Sequence, residues 1–214
     1  MNPMFYMTPG SCSTGIHILL ETLELPFEVT VLNLPAGDHR RPEYLALNPK
    51  GTIPALRLSD GRVLTEFQAI AYWLARQHPR ARLLPDDPLQ AASAIELMEH
   101  VVGSVHGQGY TRVFTPDNYL PPGLDAAARS AGRDAIQARG REMVGEAFAI
   151  VEARLPEAGF ALGADFSIAD AALFYVEFWA DKIGLALPPR CAAHYRRVRA
   201  RPVVQRVLSE EGYR

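Results

Sequence analysis

Met4-Phe5-Tyr6-Met7-Thr8-Pro9-Gly10-Ser11-Cys12-Ser13 is the stretch from which the fold follows. Met4 to Thr8 favours a strand, and Pro9-Gly10 ends it. Directly behind, Ile16, Leu19, Leu20 and Leu23 recur at i, i+3, i+4 and i+7, the spacing of a helix that buries one stripe. Ser11 or Ser13 is the expected N-cap. Cys12 then stands where unpaired N–H groups and the positive end of the helix dipole converge. Thiols so placed have pKa values of roughly 3.5–7.5 against about 8.5 when free, so Cys12 is expected to ionise readily and serve as nucleophile and redox centre. The competing reading is a small buried cysteine that only packs.

Working outward, strands and helices alternate through the first third of the chain. Glu28 to Leu32 is a second strand candidate, and a short helical piece surrounds Tyr44 to Leu47. Ala55 to Leu58 and Arg62 to Leu64 flank Ser59-Asp60-Gly61, a hairpin signal. Thr65 is the expected cap of the next helix, whose Phe67, Ile70, Ala71 and Leu74 form an apolar stripe. This order describes a small α/β domain with a mixed sheet, residues 1–78. Residues 79–88, rich in proline and charge, read as a linker. Residues 89–214 carry only helical periodicity and are expected to form an all-helical domain. Within it, Ser167-Ile168-Ala169-Asp170 has the form of a capping box with a short acidic arm, and structural capping is the favoured role of Asp170 over catalysis.

Composition narrows the function. The 214 residues suffice for a substantial core, and 24 acidic against 22 basic residues set up no field that recruits nucleic acid or an anionic membrane. The basic run Arg196 to Arg201 alternates with Tyr195, Val198, Val203, Val204 and Val207, which make it the outer face of packed helices. Cys12 and Cys191 are the only cysteines and show no metal spacing, so no metal is expected and a reducing, cytoplasmic setting is. Neither a signal-peptide pattern nor the roughly 20 apolar residues of a membrane span is visible.

Several motifs in chain order resemble a glutathione transferase, the bacterial beta class most closely. They are Tyr6-x-Thr8-Pro9-Gly10-Ser11-Cys12-Ser13, Asn48-Pro49-Lys50-Gly51-x-Ile53-Pro54, Leu64-Thr65-Glu66 with Ala69-Ile70, Val105-His106 with Gly109-Tyr110, the Ser167–Asp170 box, and Tyr195 with Arg201-Pro202-x-Val204. The resemblance implies a thioredoxin-like α/β domain followed by an all-α bundle, glutathione as cosubstrate, and a homodimer. It implies a cis Ile53–Pro54 bond, with the Ile53 main chain pairing to the cysteinyl part of the tripeptide. It also implies that Glu66 meets the γ-glutamyl ammonium and that the Phe67 N–H helps hold the adjoining carboxylate. Lys50 is a further anion contact.

Three departures bear on that site. Phe67 replaces a small residue, often serine, and is expected to crowd the pocket. Glu99 stands where the pattern often has Asn, and Gly107 where it often has Lys, which removes positive potential near an anionic tripeptide. Glu99, Gly103, His106 and Tyr110 recur at four, three and four and are expected to share one helical stripe. Cys12, Tyr6 and Ser11 compete for the catalytic role, with His106 beside them. Phe114, Tyr110, Tyr119 and Phe178 are the candidates for the electrophile site. The activity implied is conjugation of glutathione to apolar electrophiles, with thiol–disulfide or peroxidase activity through Cys12. The alternatives are a zeta-class-like isomerase and a non-catalytic adaptor.

Overall fold

Strand β1 (Met4–Met7) buries Phe5 and Met7 and turns Met4 and Tyr6 to the opposite face, the two-residue period of a sheet. The computed structural model describes residues 2–213. Around β1 lie α1 (Ser13–Thr22), β2 (Glu28–Val31), α2 (Pro42–Leu47), β3 (Ala55–Arg57), β4 (Val63–Thr65) and α3 (Phe67–Gln77). The sheet runs β2-β1-β3-β4. β1 is parallel to β2, with Phe5 opposite Val29, and antiparallel to β3, with Phe5 opposite Leu56. A parallel pair needs a crossover, and α1 supplies it. Ile16, Leu19 and Leu20 of α1 join Ile70 and Leu74 of α3 over Phe5, Met7 and Leu56. The other face carries a smaller cluster, Leu32, Tyr44 and Ala55, with Tyr6 packed against it.

Two helix starts differ from expectation. At α1 the preceding residue is Cys12, itself helical (φ −57°, ψ −26°), and no side chain caps it. The serines tie the turn together: Ser11 Oγ accepts the N–H of Ser13 at 3.1 Å, and Ser13 Oγ accepts that of Thr8 at 3.1 Å. At α3, Thr65 is held in the hairpin opposite Ala55, so Glu66 occupies the cap position instead. Glu66 takes φ 72°, ψ 130°, a left-handed backbone that side-chain-bearing residues rarely adopt.

After Thr65 the described residues add no further strand to the sheet. They form α4 (Pro88–Glu99), a π-helical segment (His100–Tyr110), α5 (Thr111–Phe114), α6 (Ala126–Arg154), α7 (Ile168–Lys182), α8 (Pro189–Arg199) and α9 (Pro202–Glu210). Asp87 caps α4 through the N–H of Gln90, and Asp125 caps α6 through that of Ala128. α7 is buried from Ile168 through Ala180 and is the central post of the helical half. α1 packs on α7 and α9, which brings the Cys12 turn against the helices.

The capping box of α7 is the anchor of a buried network. Asp170 accepts the N–H of Ser167 at 2.7 Å, its hydroxyl at 2.6 Å and the N–H of Ala161 at 2.6 Å. His194 bridges Asp170 at 2.9 Å and Glu177 at 2.8 Å. Burial alone would lower the His194 pKa, but the Glu177 and Asp170 carboxylates raise it to about 10. The arginine-rich run is absorbed by the same half: Arg201 lies 4.2 Å over the Phe166 ring, and Arg197 donates to the Gly159 carbonyl.

The expected stripe of Glu99, Gly103, His106 and Tyr110 is kept only in part: Glu99 lies over Gly103, whereas His106 and Tyr110 turn to α7. The π-helical segment spans three of these positions, and its i→i+5 bonding changes the angular step per residue. Glu99 is exposed, whereas Tyr110 is fully buried with its hydroxyl on the Val176 carbonyl at 2.8 Å.

Candidate active site

A cavity of about 750 Å³ opens where the β1–α1 turn and the segment before Pro54 face the π-helical segment and α7. Ser11, Cys12, Thr52 and Ile53 line the sheet side; His106, Phe114, Phe178 and Trp179 line the helical side. The Ile53–Pro54 bond is cis, as the resemblance implied.

Cys12 is 8 % exposed, and its thiol points at the Ile53 carbonyl, Sγ to O 3.5 Å. Burial pushes the thiol up to about 12, against the pull of the backbone N–H groups of Cys12 and Ser13 and with a further push from Glu66. This corrects the expectation of a readily formed thiolate. Loss of water around the sulfur costs its charged form more than the helix start returns. Ser11 lines the cavity, but its hydroxyl is engaged with the Thr8 carbonyl at 2.7 Å and with Ser13 Oγ at 2.6 Å. Tyr6 lies on the opposite face of the sheet, its ring 5.8 Å from that of Tyr44, and does not line the cavity. Tyr6 is thus removed from the thiol by the alternation of β1.

His106 is wedged edge-on against Trp179, ring centres 4.8 Å apart, with Nδ1 3.3 Å from the Tyr175 hydroxyl. Burial lowers its pKa to about 4, so it is neutral at physiological pH. Lys50 Nζ meets Glu66 Oε1 at 2.5 Å and Thr65 Oγ1 at 2.7 Å beside the start of α3. Phe67 does not crowd the cavity. Its ring is 3 % exposed and lies 5.3 Å from the Tyr175 ring, in space kept clear by Gly15, where a Cβ would stand 2.7 Å from the Phe67 ring. A residue that opens α3 must face either the cavity or α7, and the apolar ring faces α7. Glu99 does not line the cavity; it accepts from Gln68 Nε2 at 2.8 Å and so touches the first turn of α3 indirectly.

Of the electrophile candidates, Phe114 and Phe178 line the cavity. Tyr110 does not: it backs the wall, stacked on Phe114 at 5.4 Å and edge-on to Trp179 at 5.2 Å. Tyr119 is outside too, its hydroxyl 2.5 Å from Thr111 Oγ1 and its ring under Arg112. Sequence reasoning missed Trp179, Lys182 and Tyr213 on the helical side and His39 and Arg40 on the sheet side. Gly10 carried a signal for Tyr213, because a Cβ there would collide with the Tyr213 hydroxyl, but the partner is some 200 residues away. The same turn is gripped from that distance twice more. The Gly10 N–H donates to Glu211 Oε2 at 2.7 Å, and Trp179 Nε1 donates to the Gly10 carbonyl at 2.7 Å.

A thioredoxin-like sheet with a cis-proline edge, closed by a helical half that brings aromatic walls, is the two-domain fold of a glutathione-type transferase. Comparison with known proteins agrees. The glutathione S-transferase N-terminal domain model matches residues 10–77, and the C-terminal domain model matches residues 134–197. The chain is 34 % identical over 217 residues to the glutathione S-transferase GstA of Escherichia coli O157:H7, covering 98 % of each. A glutathione transferase homologue from Sulfitobacter, solved with bound glutathione, superposes with a TM-score of 0.87 at 28 % identity, covering 100 % of this chain and 99 % of that one. A beta-class glutathione S-transferase of Sphingomonas chungbukensis gives 0.78 at 28 % identity over 98 % of both. The chain belongs to the glutathione S-transferase family, with bacterial beta-class members among its structural neighbours, and is a transferase. That membership replaces the adaptor alternative.

Proposed function

We propose that the chain conjugates reduced glutathione to apolar electrophiles in this cavity. The observation that carries the reading is the divided chemistry of the walls. Main-chain and cationic groups of Thr52, Ile53 and Arg40 stand on one side, and the rings of Phe114, Phe178, Trp179 and Tyr213 on the other. The tripeptide pairs with the Ile53 main chain as an added strand. Glu66 takes the γ-glutamyl ammonium, and the Phe67 N–H with the dipole of α3 holds the adjoining carboxylate, beside Lys50. Arg40 and His39, whose buried Nδ1 has no partner, face the glycyl carboxylate.

Cys12, kept a neutral thiol by burial, donates its S–H to the glutathione sulfur and favours the thiolate there. That thiolate attacks the electrophilic carbon; the C–S bond forms as the leaving group departs with its electron pair. His106 Nδ1 lies 3.3 Å from the Tyr175 hydroxyl, which leaves the other ring nitrogen for the bound cysteinyl region. Thiol–disulfide exchange is a slower second activity. It needs the Cys12 thiolate to attack oxidised glutathione and release one glutathione thiolate, so it accelerates as pH rises. The protein acts as a homodimer, supported by the exposed Tyr72 and Leu89 on adjoining helices, and in the cytoplasm, supported by two unpaired cysteines.

Calorimetric titration with reduced glutathione tests the reading: binding in the micromolar to low-millimolar range, lost in Glu66→Ala. Absence of heat in the parent protein overturns it, and efficient isomerisation of maleylacetoacetate without conjugation redirects it to the isomerase. Oxidised glutathione at alkaline pH is expected to leave one adduct, on Cys12. An adduct confined to Cys191, which is fully buried, refutes the thiol assignment.

A further inference from the structure

We infer that the aromatic half of the cavity takes a flat aromatic electrophile bearing an anionic substituent, a carboxylate above all, and that Lys182 selects it. This rests on the conjugation reading and names its substrate class. The chain has 22 basic residues but only two lysines: Lys50 pairs with Glu66 beside the start of α3, and Lys182 lines the cavity against the aromatic wall. Elsewhere arginine makes most of the ion pairs, with forked groups suited to carboxylates within the fold.

Lys182 Nζ lies 5.0 Å from the Phe178 ring centre and 4.7 Å from that of Tyr213. Among the described residues no carboxylate is within ion-pair distance of it. Its neighbour Asp181 is engaged by Tyr195 at 3.0 Å and Arg199 at 3.2 Å. Among the described residues no aspartate or glutamate lines the cavity, although acidic residues outnumber basic ones in the chain. On the conjugation reading the charged ends of glutathione are met by Arg40 and His39 of the sheet side and by Glu66 and the Phe67 N–H beside the cavity. Lys182 is therefore a cation with no assigned anion, held over the Phe178 and Tyr213 rings. A flat ring laid on the wall of Phe114, Phe178 and Trp179, with a carboxylate at Lys182, satisfies both features. The competing account is that Lys182 merely completes the last turn of α7, where a cation favours the helix dipole.

The test compares two substrates of one shape, 4-chloro-3-nitrobenzoate and its neutral amide. In both, glutathione thiolate forms the C–S bond, and chloride leaves with its electron pair. The expected kcat/KM ratio of acid to amide is about tenfold or more in the parent protein. It falls to near one in Lys182→Met and persists in Lys182→Arg. A ratio near one in the parent protein, or a ratio that Lys182→Met leaves intact, overturns the inference. An equal loss for both substrates also overturns it, since it assigns Lys182 to the transition state or to structure. Quenching of tryptophan fluorescence by 4-nitrobenzoate, weakened about tenfold in Lys182→Met while 4-nitrobenzamide binding is not, reads the same contact without turnover. Loss of glutathione binding sinks the conjugation reading alone.

Discussion

Helices α3 and α7 each open with an acidic side chain, and the two are finished in opposite ways. At α7, Asp170 is fully buried and its two oxygens are spent on Ser167, Ala161 and His194. At α3, Glu66 makes no cap bond, holds a left-handed backbone, and leaves its carboxylate more than half exposed beside Lys50. A helix start that satisfies its own donors contributes its free energy to folding. One left open keeps N–H groups and charge for a ligand. The open start still needs to be rigid, and Phe67 provides that by driving its ring against Tyr175 and Gly15. Phe67 ties the open start of α3 to the central post.

The largest expected effect falls on the closed start. Asp170→Ala leaves His194 and two N–H groups buried with one partner fewer, and a loss of about 3–5 kcal/mol is expected in urea unfolding. A loss below about 1 kcal/mol would erase the contrast with α3. Next comes pH. His194 keeps its proton in the folded chain up to about 10, against 6.5 for a free histidine, so its contribution is complete below about pH 6.5 and is lost as pH climbs toward 10. A decline on the order of a few kcal/mol between pH 7 and 10 is expected from chemical unfolding. His194→Gln, less stable throughout, should lack that slope. His106 works in the other direction: buried and neutral, it destabilises the fold as pH drops from 6.5 through about 4. The smallest effect is at the open start. Glu66→Gly relieves the left-handed backbone and should raise stability by about 1 kcal/mol while glutathione binding is lost. Stability unchanged or lowered in that variant would show that the strain is not there.

Much of this was legible beforehand because it is local. Strand and helix order follows from side-chain period, the Asp170 cap from a four-residue spacing, and the hairpin from Asp60-Gly61. The misreadings share a cause. Tyr6, Phe67 and Tyr110 follow from motif position and Tyr119 from residue type, and neither says which side of an element a ring faces. Cys12 was judged by its position at a helix start, but its ionisation answers to how much water the helical half removes.

Sequence alone therefore determined the order of elements, the capping box of α7 and the thiol at the β1–α1 turn, since each depends on neighbours within a few residues. Tertiary structure decided that Cys12 is protonated, that Trp179 and Glu211 hold the Gly10 turn, and that Lys182 faces the aromatic wall. Desolvation and long-range hydrogen bonds exist only once segments far apart in the chain have met.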